Sequence, residues 1–158
     1  MTLPQDASEE PVTQPSFSGQ RNPPLPPVAL DYHFAEQTRT VLVVDDSPTV
    51  RKIAQMMLQR EHIRAITASD GLSALTSVAD EMPAMILLDI QLPRMDGYRI
   101  CWIIRKNLRF RQIPIVMLSG KDGVFDQMRG HLAGSTDFLM KPFHSHQLVE
   151  TVKKYLPS

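Results

Sequence analysis

Side chains suited to phosphoryl chemistry stand at the ends of several predicted strands. They comprise three carboxylates, one hydroxyl and one ammonium, at Asp45, Asp46, Asp89, Ser119 and Lys141. A carboxylate can attack phosphorus to form an acyl phosphate, while a hydroxyl and an ammonium can hold the phosphoryl oxygens. Taken singly, each residue has an ordinary alternative as a helix cap, a turn residue or a solvated charge. Their joint position at one edge of a sheet would make them a site.

The carboxylates of Asp45, Asp46 and Asp89 also predict a metal. Three carboxylates in one cleft repel each other, which raises their pKa values unless a cation neutralises them. Oxygen ligands with room for water suit a hard divalent ion, and Mg²⁺ is the natural choice. A metal beside the ammonium of Lys141 would accept a dianionic, phosphoryl-like group.

The elements that must position these side chains are five apolar strands, each followed by a helix. The clearest strand, at 85–89, is an unbroken apolar run that ends at Asp89, as a strand buried on both faces does. The others are predicted at residues 40–44, 63–67, 113–118 and 136–140. The helices are predicted to begin at Pro48, Gly71, Tyr98, Gly123 and His146.

Strands that alternate with helices predict an α/β fold, a doubly wound parallel sheet covered on both faces. Such a sheet brings the carboxyl end of every strand to one edge, where ligands bind. Ser47 is a predicted cap, with Pro48 at the first helical position. The second helix carries its apolar residues at Leu72, Leu75, Val78 and Ala79.

The fourth predicted helix, from about Gly123 to Ala133, contains two glycines. Gly123 and Gly130 each cost about 1 kcal/mol relative to alanine inside a helix. Two interpretations remain open: a short, frayed helix, or an element kept loose so that it can move.

The composition divides the chain at about residue 38. Seven of the 13 prolines lie between Pro4 and Pro27, and we predict a disordered extension over residues 1–38. Residues 39–158 form the predicted folded domain. We expect no secretory signal, since residues 1–30 lack a basic and then an apolar region, and no apolar stretch reaches the ~18 residues that a membrane span needs. With one cysteine, Cys101, an intramolecular disulfide is ruled out. We expect a cytoplasmic protein without membrane contact.

The net charge of zero conceals an asymmetry. Residues 1–38 hold one basic and five acidic residues, a net charge of −4, which leaves +4 on the remainder. We interpret the basic residues as a solvated helix face rather than as a nucleic-acid surface, since no DNA-binding motif accompanies them. They include Arg94, Arg99, Arg105, Lys106, Arg109 and Arg111.

Four short segments, taken in order, resemble the receiver domain of two-component response regulators. These are Val43-Val44-Asp45-Asp46-Ser47, Leu88-Asp89 with Pro93 and Asp96-Gly97, Leu118-Ser119-Gly120, and Lys141-Pro142-Phe143. The resemblance covers about residues 39–156. It implies a flavodoxin-like or CheY-like sheet with strand order 2-1-3-4-5.

The resemblance also implies a role for each site residue. Asp89 would accept a phosphoryl group from a phosphohistidine on a sensor histidine kinase or a phosphotransfer domain. Asp46, Asp89 and the backbone carbonyl of Gln91 would bind Mg²⁺, with Asp45 acting largely through water. Ser119 and Lys141 would hold the phosphoryl oxygens.

Further positions follow from the same resemblance. Phe138 lies three residues before Lys141, where receivers carry an aromatic residue that moves inward on activation. A phenylalanine there can switch by packing but has no hydroxyl to donate. Gln91 and Lys121 occupy positions that tune the phosphoryl lifetime, and the Lys141–Pro142 bond is expected to be cis.

The expected output is a contact with another protein. No effector domain follows Ser158 in this sequence, and receivers usually expose the fourth helix, fifth strand and fifth helix to effectors. Segments 119–126 and 134–139 resemble the pilus-linked twitching-motility regulators of the PilG type and PatA-like receivers, which suggests pilus motility or taxis. Trp102 projects nearly opposite the apolar stripe of its helix and is a second candidate contact.

Two other functions fit part of this sequence pattern. An aspartate-nucleophile phosphatase of the haloacid dehalogenase type also uses a strand-end aspartate and Mg²⁺. Its first motif needs two aspartates separated by one residue, whereas Asp45 and Asp46 are adjacent. A degenerate receiver that serves only as a scaffold is the other alternative, and the full acidic set argues against it. We therefore expect a signalling domain rather than a multiple-turnover enzyme.

Overall fold

The computed structural model describes residue 2, residues 39–120 and residues 124–156. Apart from residue 2, the predicted extension over residues 1–38 lies outside the described residues. So do residues 121–123, which include Lys121 and the first residue of the predicted fourth helix, Gly123.

Five parallel strands form the central sheet, in the order β2-β1-β3-β4-β5. This confirms the predicted fold class and strand order. Because both faces of the sheet are covered, every residue of β1, β3 and β4 is buried. The strands are β1 (Thr40–Val44), β2 (Arg64–Ala68), β3 (Met85–Asp89), β4 (Ile115–Ser119) and β5 (Asp137–Met140).

Five helices connect and follow the strands. They are α1 (Pro48–Arg60), α2 (Gly71–Glu81), α3 (Gly97–Lys106), α4 (Val124–Ala133) and α5 (Ser145–Tyr155). Side chains cap three of them at the carboxyl edge of the sheet, where each accepts a backbone N–H of the first turn. The caps are Ser47 for α1, Asp70 for α2 and Asp96 for α3. The predicted cap at Ser47, with Pro48 in the first turn, is confirmed.

The core lies in two layers, one on each face of the sheet. Alternate residues of β1 point to opposite faces, so Leu42 and Val44 belong to one layer and Val41 and Val43 to the other. Helices α2 and α3 cover the first layer. Helices α1 and α5 cover the second, and the same alternation along β3 and β4 fills both layers.

The predicted apolar stripe of α2 is wrong in part. Leu72 is 76% exposed and Ala79 is also exposed, whereas Ala74 and Val78 are buried. Ala74 and Val78 lie four residues apart, on one face of the helix. Gly71 lies close to Ile100 of α3, so a small residue occupies the contact between the helices.

Arg105 is not the solvated residue that the charge pattern suggested. Its guanidinium donates four hydrogen bonds. They go to the carbonyls of Ile113 at 2.6 Å, Gly134 at 2.7 Å and Arg111 at 3.1 Å, and to the hydroxyl of Thr136 at 3.2 Å. These bonds join the end of α3 to the segments that lead into β4 and β5. A planar group with several donors suits such convergent acceptors.

Within the described residues, no helix is both long enough and apolar enough to cross a membrane.

Candidate functional site

The carboxyl ends of the central strands bring the predicted site residues to one edge of the sheet. Asp45 directly follows β1, Asp89 ends β3 and Ser119 ends β4. Asp45 is fully buried, while Asp89 and Ser119 are 4% and 3% exposed. Lys141 directly follows β5, which pairs with β4 so that Ser119 lies opposite Met140. Adjacent strands in register therefore place these four side chains together.

Lys141 forms ion pairs with two of the carboxylates. Its Nζ lies 2.6 Å from Oδ2 of Asp45 and 3.3 Å from Oδ1 of Asp89. Backbone amides complete the arrangement, because Ser47 N donates to Oδ1 of Asp45 at 2.9 Å and Gln91 N donates to Oδ1 of Asp89 at 3.2 Å. Buried charges are stable only when they are paired and hydrogen-bonded in this way.

Burial raises the pKa of the Asp89 carboxyl, and the negative charge of Asp45 raises it further. The ammonium of Lys141 and the amide of Gln91 oppose this increase. For Lys141, burial lowers the pKa, but hydrogen bonds and charges of Asp45 and Asp89 outweigh burial and raise it. Lys141 is therefore an ammonium at neutral pH, and its charge partly offsets the repulsion between the carboxylates of Asp45 and Asp89.

The residues present also fit a divalent metal. One carboxylate oxygen from each of Asp45, Asp46 and Asp89 lies within 4.8 Å of the others. All the donors are oxygen atoms, as a hard ion such as Mg²⁺ prefers. Asp46 is exposed, so the group opens to solvent and leaves room for bound water. Gln91, whose carbonyl was predicted as a further ligand, is also exposed and lies two residues beyond Asp89.

Gly97 allows α3 to begin against the end of β3. Its amide donates to the carbonyl of Ile90 at 2.9 Å. A Cβ at this position would overlap the carbonyl oxygen of Asp89, which is backbone and cannot move freely. The glycine of the Asp96-Gly97 motif is therefore needed for the close approach that positions Asp89.

Phe138 contacts the glycine of α4 that the sequence marked as a weakness. The ring of Phe138 is half-buried, and a Cβ at Gly130 would overlap its outer atoms. Gly130 therefore makes room for the ring of Phe138. This contact explains the glycine without either earlier interpretation, the frayed helix or the mobile one. The inward movement predicted for Phe138 stays a prediction.

Asp126, on α4, is a residue of this region that sequence reasoning missed. Its Oδ1 accepts a hydrogen bond from the hydroxyl of Tyr98 at 2.9 Å, and its Oδ2 accepts one from Ser119 at 3.4 Å. Burial and the bond to Asp126 raise the pKa of Tyr98 to about 12. Only its acidic character in the first turn of α4 marked it in the sequence.

Two smaller expectations are confirmed. The Lys141–Pro142 peptide bond is cis. Trp102 is 52% exposed, with the ammonium of Lys106 lying 5.0 Å from its ring centroid. Whether Trp102 contacts a partner stays a prediction.

Comparison with known proteins agrees with this geometry. Residues 41–153 match the family model described as the response regulator receiver domain. The chain is 43% identical over 118 residues to Protein PilG of Pseudomonas aeruginosa, covering 75% of this chain and 87% of that protein. It is 38% identical over 120 residues to the alkaline phosphatase synthesis transcriptional regulatory protein PhoP of Bacillus subtilis. The match to PhoP covers 75% of this chain but only 48% of PhoP.

Solved structures show the same fold. The chemotaxis protein CheY4 of Vibrio cholerae superposes with a TM-score of 0.71 at 30% identity, covering 74% of this chain and 98% of that one. The receiver domain of the sensor histidine kinase PA1611 from Pseudomonas aeruginosa, with a magnesium ion coordinated in its active-site cleft, gives a TM-score of 0.70 at 29% identity. That match covers 76% of this chain and 98% of the other.

Receiver domains of two-component systems act in phosphorylation-dependent signalling, bind Mg²⁺ and interact with histidine kinases or phosphotransfer proteins. The motifs, the strand order, the acidic edge and the relatives agree on one assignment. The chain belongs to the response regulator receiver domain family.

Proposed function

We propose that Asp89 is the phosphoacceptor of this receiver. An oxygen of the Asp89 carboxylate attacks phosphorus, the bond from phosphorus to the histidine nitrogen of the donor breaks, and the imidazole leaves with that electron pair. The observation that carries the proposal is the position of the Lys141 ammonium, which contacts both Asp45 and Asp89 at the carboxyl edge. A fixed cation at this point stabilises the charge of the transferred group.

Asp45, Asp46, Asp89 and the backbone carbonyl of Gln91 are the proposed ligands of Mg²⁺. The clustered carboxylate oxygens support this assignment. A bound Mg²⁺ supplies positive charge that lowers the repulsion between the acids and a phosphoryl group. The PA1611 receiver with magnesium in its cleft supports the same choice of metal.

Ser119 and Lys141 are the proposed ligands of the phosphoryl oxygens. Ser119 supplies one hydroxyl donor, and Lys141 supplies an ammonium already placed beside Asp89. Phe138 is the proposed aromatic switch, and it acts through packing against α4 because it lacks a hydroxyl.

We propose that the domain transfers and loses its own phosphoryl group but does not turn over an external substrate. The alternatives are a phosphatase of the haloacid dehalogenase type and a scaffold without phosphorylation. Against the phosphatase, Asp45 and Asp46 are adjacent rather than separated by one residue, so the first motif is absent. Against the scaffold, the acidic residues, Ser119 and Lys141 are all present and converge.

The proposed partners are a sensor histidine kinase or phosphotransfer domain as donor and a protein effector on the α4-β5-α5 face. Met128 and Leu132 of α4 are 59% and 82% exposed and lie beside Phe138 in a surface groove, which supports the effector face. Pilus motility or taxis is the proposed pathway, supported by the relationship to Protein PilG. The proposed location is the cytoplasm.

We also propose that residues 39–158 form the receiver domain and that residues 1–38 are an extension of it. Deleting residues 1–38 is expected to leave the thermal unfolding of the remainder unchanged. A lower melting temperature after deletion would show that the extension belongs to the folded domain.

The test of the phosphoacceptor uses beryllofluoride, which mimics an acyl phosphate, together with Mg²⁺. Isothermal titration calorimetry should show one site on the wild-type protein and none on Asp89→Asn. Asp80→Asn is the matched control, because it removes an exposed carboxylate of α2 and should bind as the wild type does. Sustained hydrolysis of phosphate esters over many turnovers would favour the phosphatase, and no binding by the wild type would favour the scaffold.

A further inference from the structure

Asp126 connects the hydroxyl of Ser119 to helix α3, since it accepts hydrogen bonds from both Ser119 and Tyr98. We propose that Asp126 is a positioning residue that holds this hydroxyl before phosphorylation and releases it to the phosphoryl group on Asp89. The inference rests on the proposed role of Asp89 as phosphoacceptor. It adds a carboxylate outside the metal cluster to the residues that control the site.

Tyr98 fixes the carboxylate of Asp126. The hydroxyl of Tyr98 donates to Oδ1 at 2.9 Å, within the range of O–H···O hydrogen bonds. Tyr98 is 8% exposed, and the guanidinium of Arg129, also on α4, lies 4.5 Å from its ring centroid. Asp126 is therefore held against α3, with its second oxygen directed to Ser119.

The hydrogen bond from Ser119 to Asp126 is longer than the one from Tyr98. The Oγ of Ser119 lies 3.4 Å from Oδ2 of Asp126, which is long for an O–H···O bond, since these are usually about 2.7–2.8 Å. A serine hydroxyl has one hydrogen and can donate only one such bond at a time. An oxygen of a dianionic phosphoryl group on Asp89 is the stronger acceptor. Once the hydroxyl donates to the phosphoryl group, it no longer donates to Asp126.

Through this exchange of hydrogen-bond acceptors, phosphorylation of Asp89 changes the contacts of α4. Before phosphorylation, Asp126 links the end of β4 to α4 through Ser119. After phosphorylation that link is lost, while the bond to Tyr98 and the contact of Arg129 keep α4 joined to α3. The exchange therefore removes the link between α4 and β4 and keeps the link between α4 and α3.

The first test measures the affinity for beryllofluoride with saturating Mg²⁺ by calorimetry. In Asp126→Asn, the amide oxygen can accept from Tyr98, which turns the NH₂ group toward Ser119, so the hydroxyl loses its competing acceptor. We expect an affinity higher by roughly two- to tenfold, the worth of one hydrogen bond. Asp80→Asn, an exposed acid elsewhere on the domain, should leave the affinity unchanged.

The same measurement in a Ser119→Ala background separates hydrogen bonding from charge. If Asp126 acts through Ser119, then Asp126→Asn should give no gain once the hydroxyl is absent. An equal gain in both backgrounds would overturn the proposal, because it would show repulsion between charges alone. Unchanged affinity of the single variant would also overturn it, whereas failure of the wild type to bind would instead refute the phosphoacceptor.

A second measurement needs no change at Asp126. The carbon-13 resonance of its carboxyl carbon should shift when beryllofluoride and Mg²⁺ are added to the wild-type protein, since one donor is lost. In Ser119→Ala the resonance should already lie at the shifted position and should not move on addition. A resonance that moves equally in both proteins, or in neither, would overturn the proposal.

Discussion

The ammonium of Lys141 lies closer to Asp45 than to Asp89, at 2.6 Å and 3.3 Å. Asp45 is fully buried and its Oδ1 is held by the amide of Ser47, so it is a fixed partner for the lysine. Lys141 therefore stands beside Asp89 without depending on it. A lysine positioned by one carboxylate and available to a second needs little rearrangement when a phosphoryl group arrives.

Lys141→Ala is expected to lower the free energy of unfolding by about 3 kcal/mol, because it leaves the buried carboxylate of Asp45 without its cation. Lys153→Ala is the matched control, since its ammonium lies at the same 2.6 Å from Glu61 but both side chains are exposed. The control should have little effect. Urea unfolding followed by circular dichroism measures both, and equal losses would contradict the assigned role of Asp45.

Arg105→Lys is expected to lower the free energy of unfolding by about 2 kcal/mol, although it keeps the charge. A lysine cannot reach the carbonyls of Ile113 and Gly134 and the hydroxyl of Thr136 together. Arg99→Lys, at an exposed position of the same helix, serves as the control. Thermal and urea unfolding compare the two, and a loss that is no larger at Arg105 would show that its bonds add nothing.

Gly130→Ala is expected to lower the free energy of unfolding by about 1 kcal/mol, because the new Cβ meets the ring of Phe138. In a Phe138→Ala background the same change should instead raise the free energy of unfolding by up to about 1 kcal/mol, since alanine favours the helix and the ring no longer opposes the new Cβ. The double-mutant cycle is measured by urea unfolding. Additive effects would show that the ring and the glycine are not in contact.

Tyr155→Phe is expected to change the pH dependence of stability. Burial raises the pKa of the Asp137 carboxyl. Hydrogen bonds from the Tyr155 hydroxyl and the Phe138 amide, together with the charge of Lys154, outweigh burial and hold the pKa below its ordinary value. When folding lowers the pKa of a carboxyl, it adds stability at pH values above the pKa of the unfolded state. That stability is lost as the pH falls through the pKa of the folded state. Without the hydroxyl, this contribution should be smaller.

The difference in stability between the wild type and Tyr155→Phe should therefore be largest above about pH 5 and should shrink as the pH falls through the lowered pKa of Asp137. Melting temperatures across this range measure it. Asp137→Asn removes the titrating group, so in that background Tyr155→Phe should show no such pH dependence. A constant difference at every pH would assign the effect to packing of the ring.

Regular elements were predictable where burial leaves a simple pattern. Residues 40–44 and 85–89 read as unbroken apolar runs because a central parallel strand is covered on both faces, and both predicted strands have the observed bounds. The other strands were less exact: β2 and β5, at the two edges of the sheet, were predicted to begin one residue early, and the buried strand β4 was predicted to begin two residues early. Partly exposed strands and helix ends lack a continuous apolar signal.

Contacts between distant segments left no such pattern. The orientation of α2 depends on whether Ala74 or Leu72 meets the sheet, and both positions fit a helical stripe. Nothing in the local sequence distinguishes Arg105 from an exposed arginine, yet it donates hydrogen bonds to residues 8 and 31 positions away. Gly130 reduces helix propensity locally, and only the ring of Phe138 across the contact explains it.

The strand order was implied by the resemblance to receiver domains. The sequence by itself determined the acids after β1 and β3, and the hydroxyl and ammonium after β4 and β5. It could do so because strand ends in a parallel sheet converge, whatever the details of packing. The tertiary structure alone decided that Lys141 forms an ion pair with Asp45, and that Asp126 accepts hydrogen bonds from both Ser119 and Tyr98. These bonds depend on distances of a few ångströms between residues far apart in the chain, which no local spacing encodes.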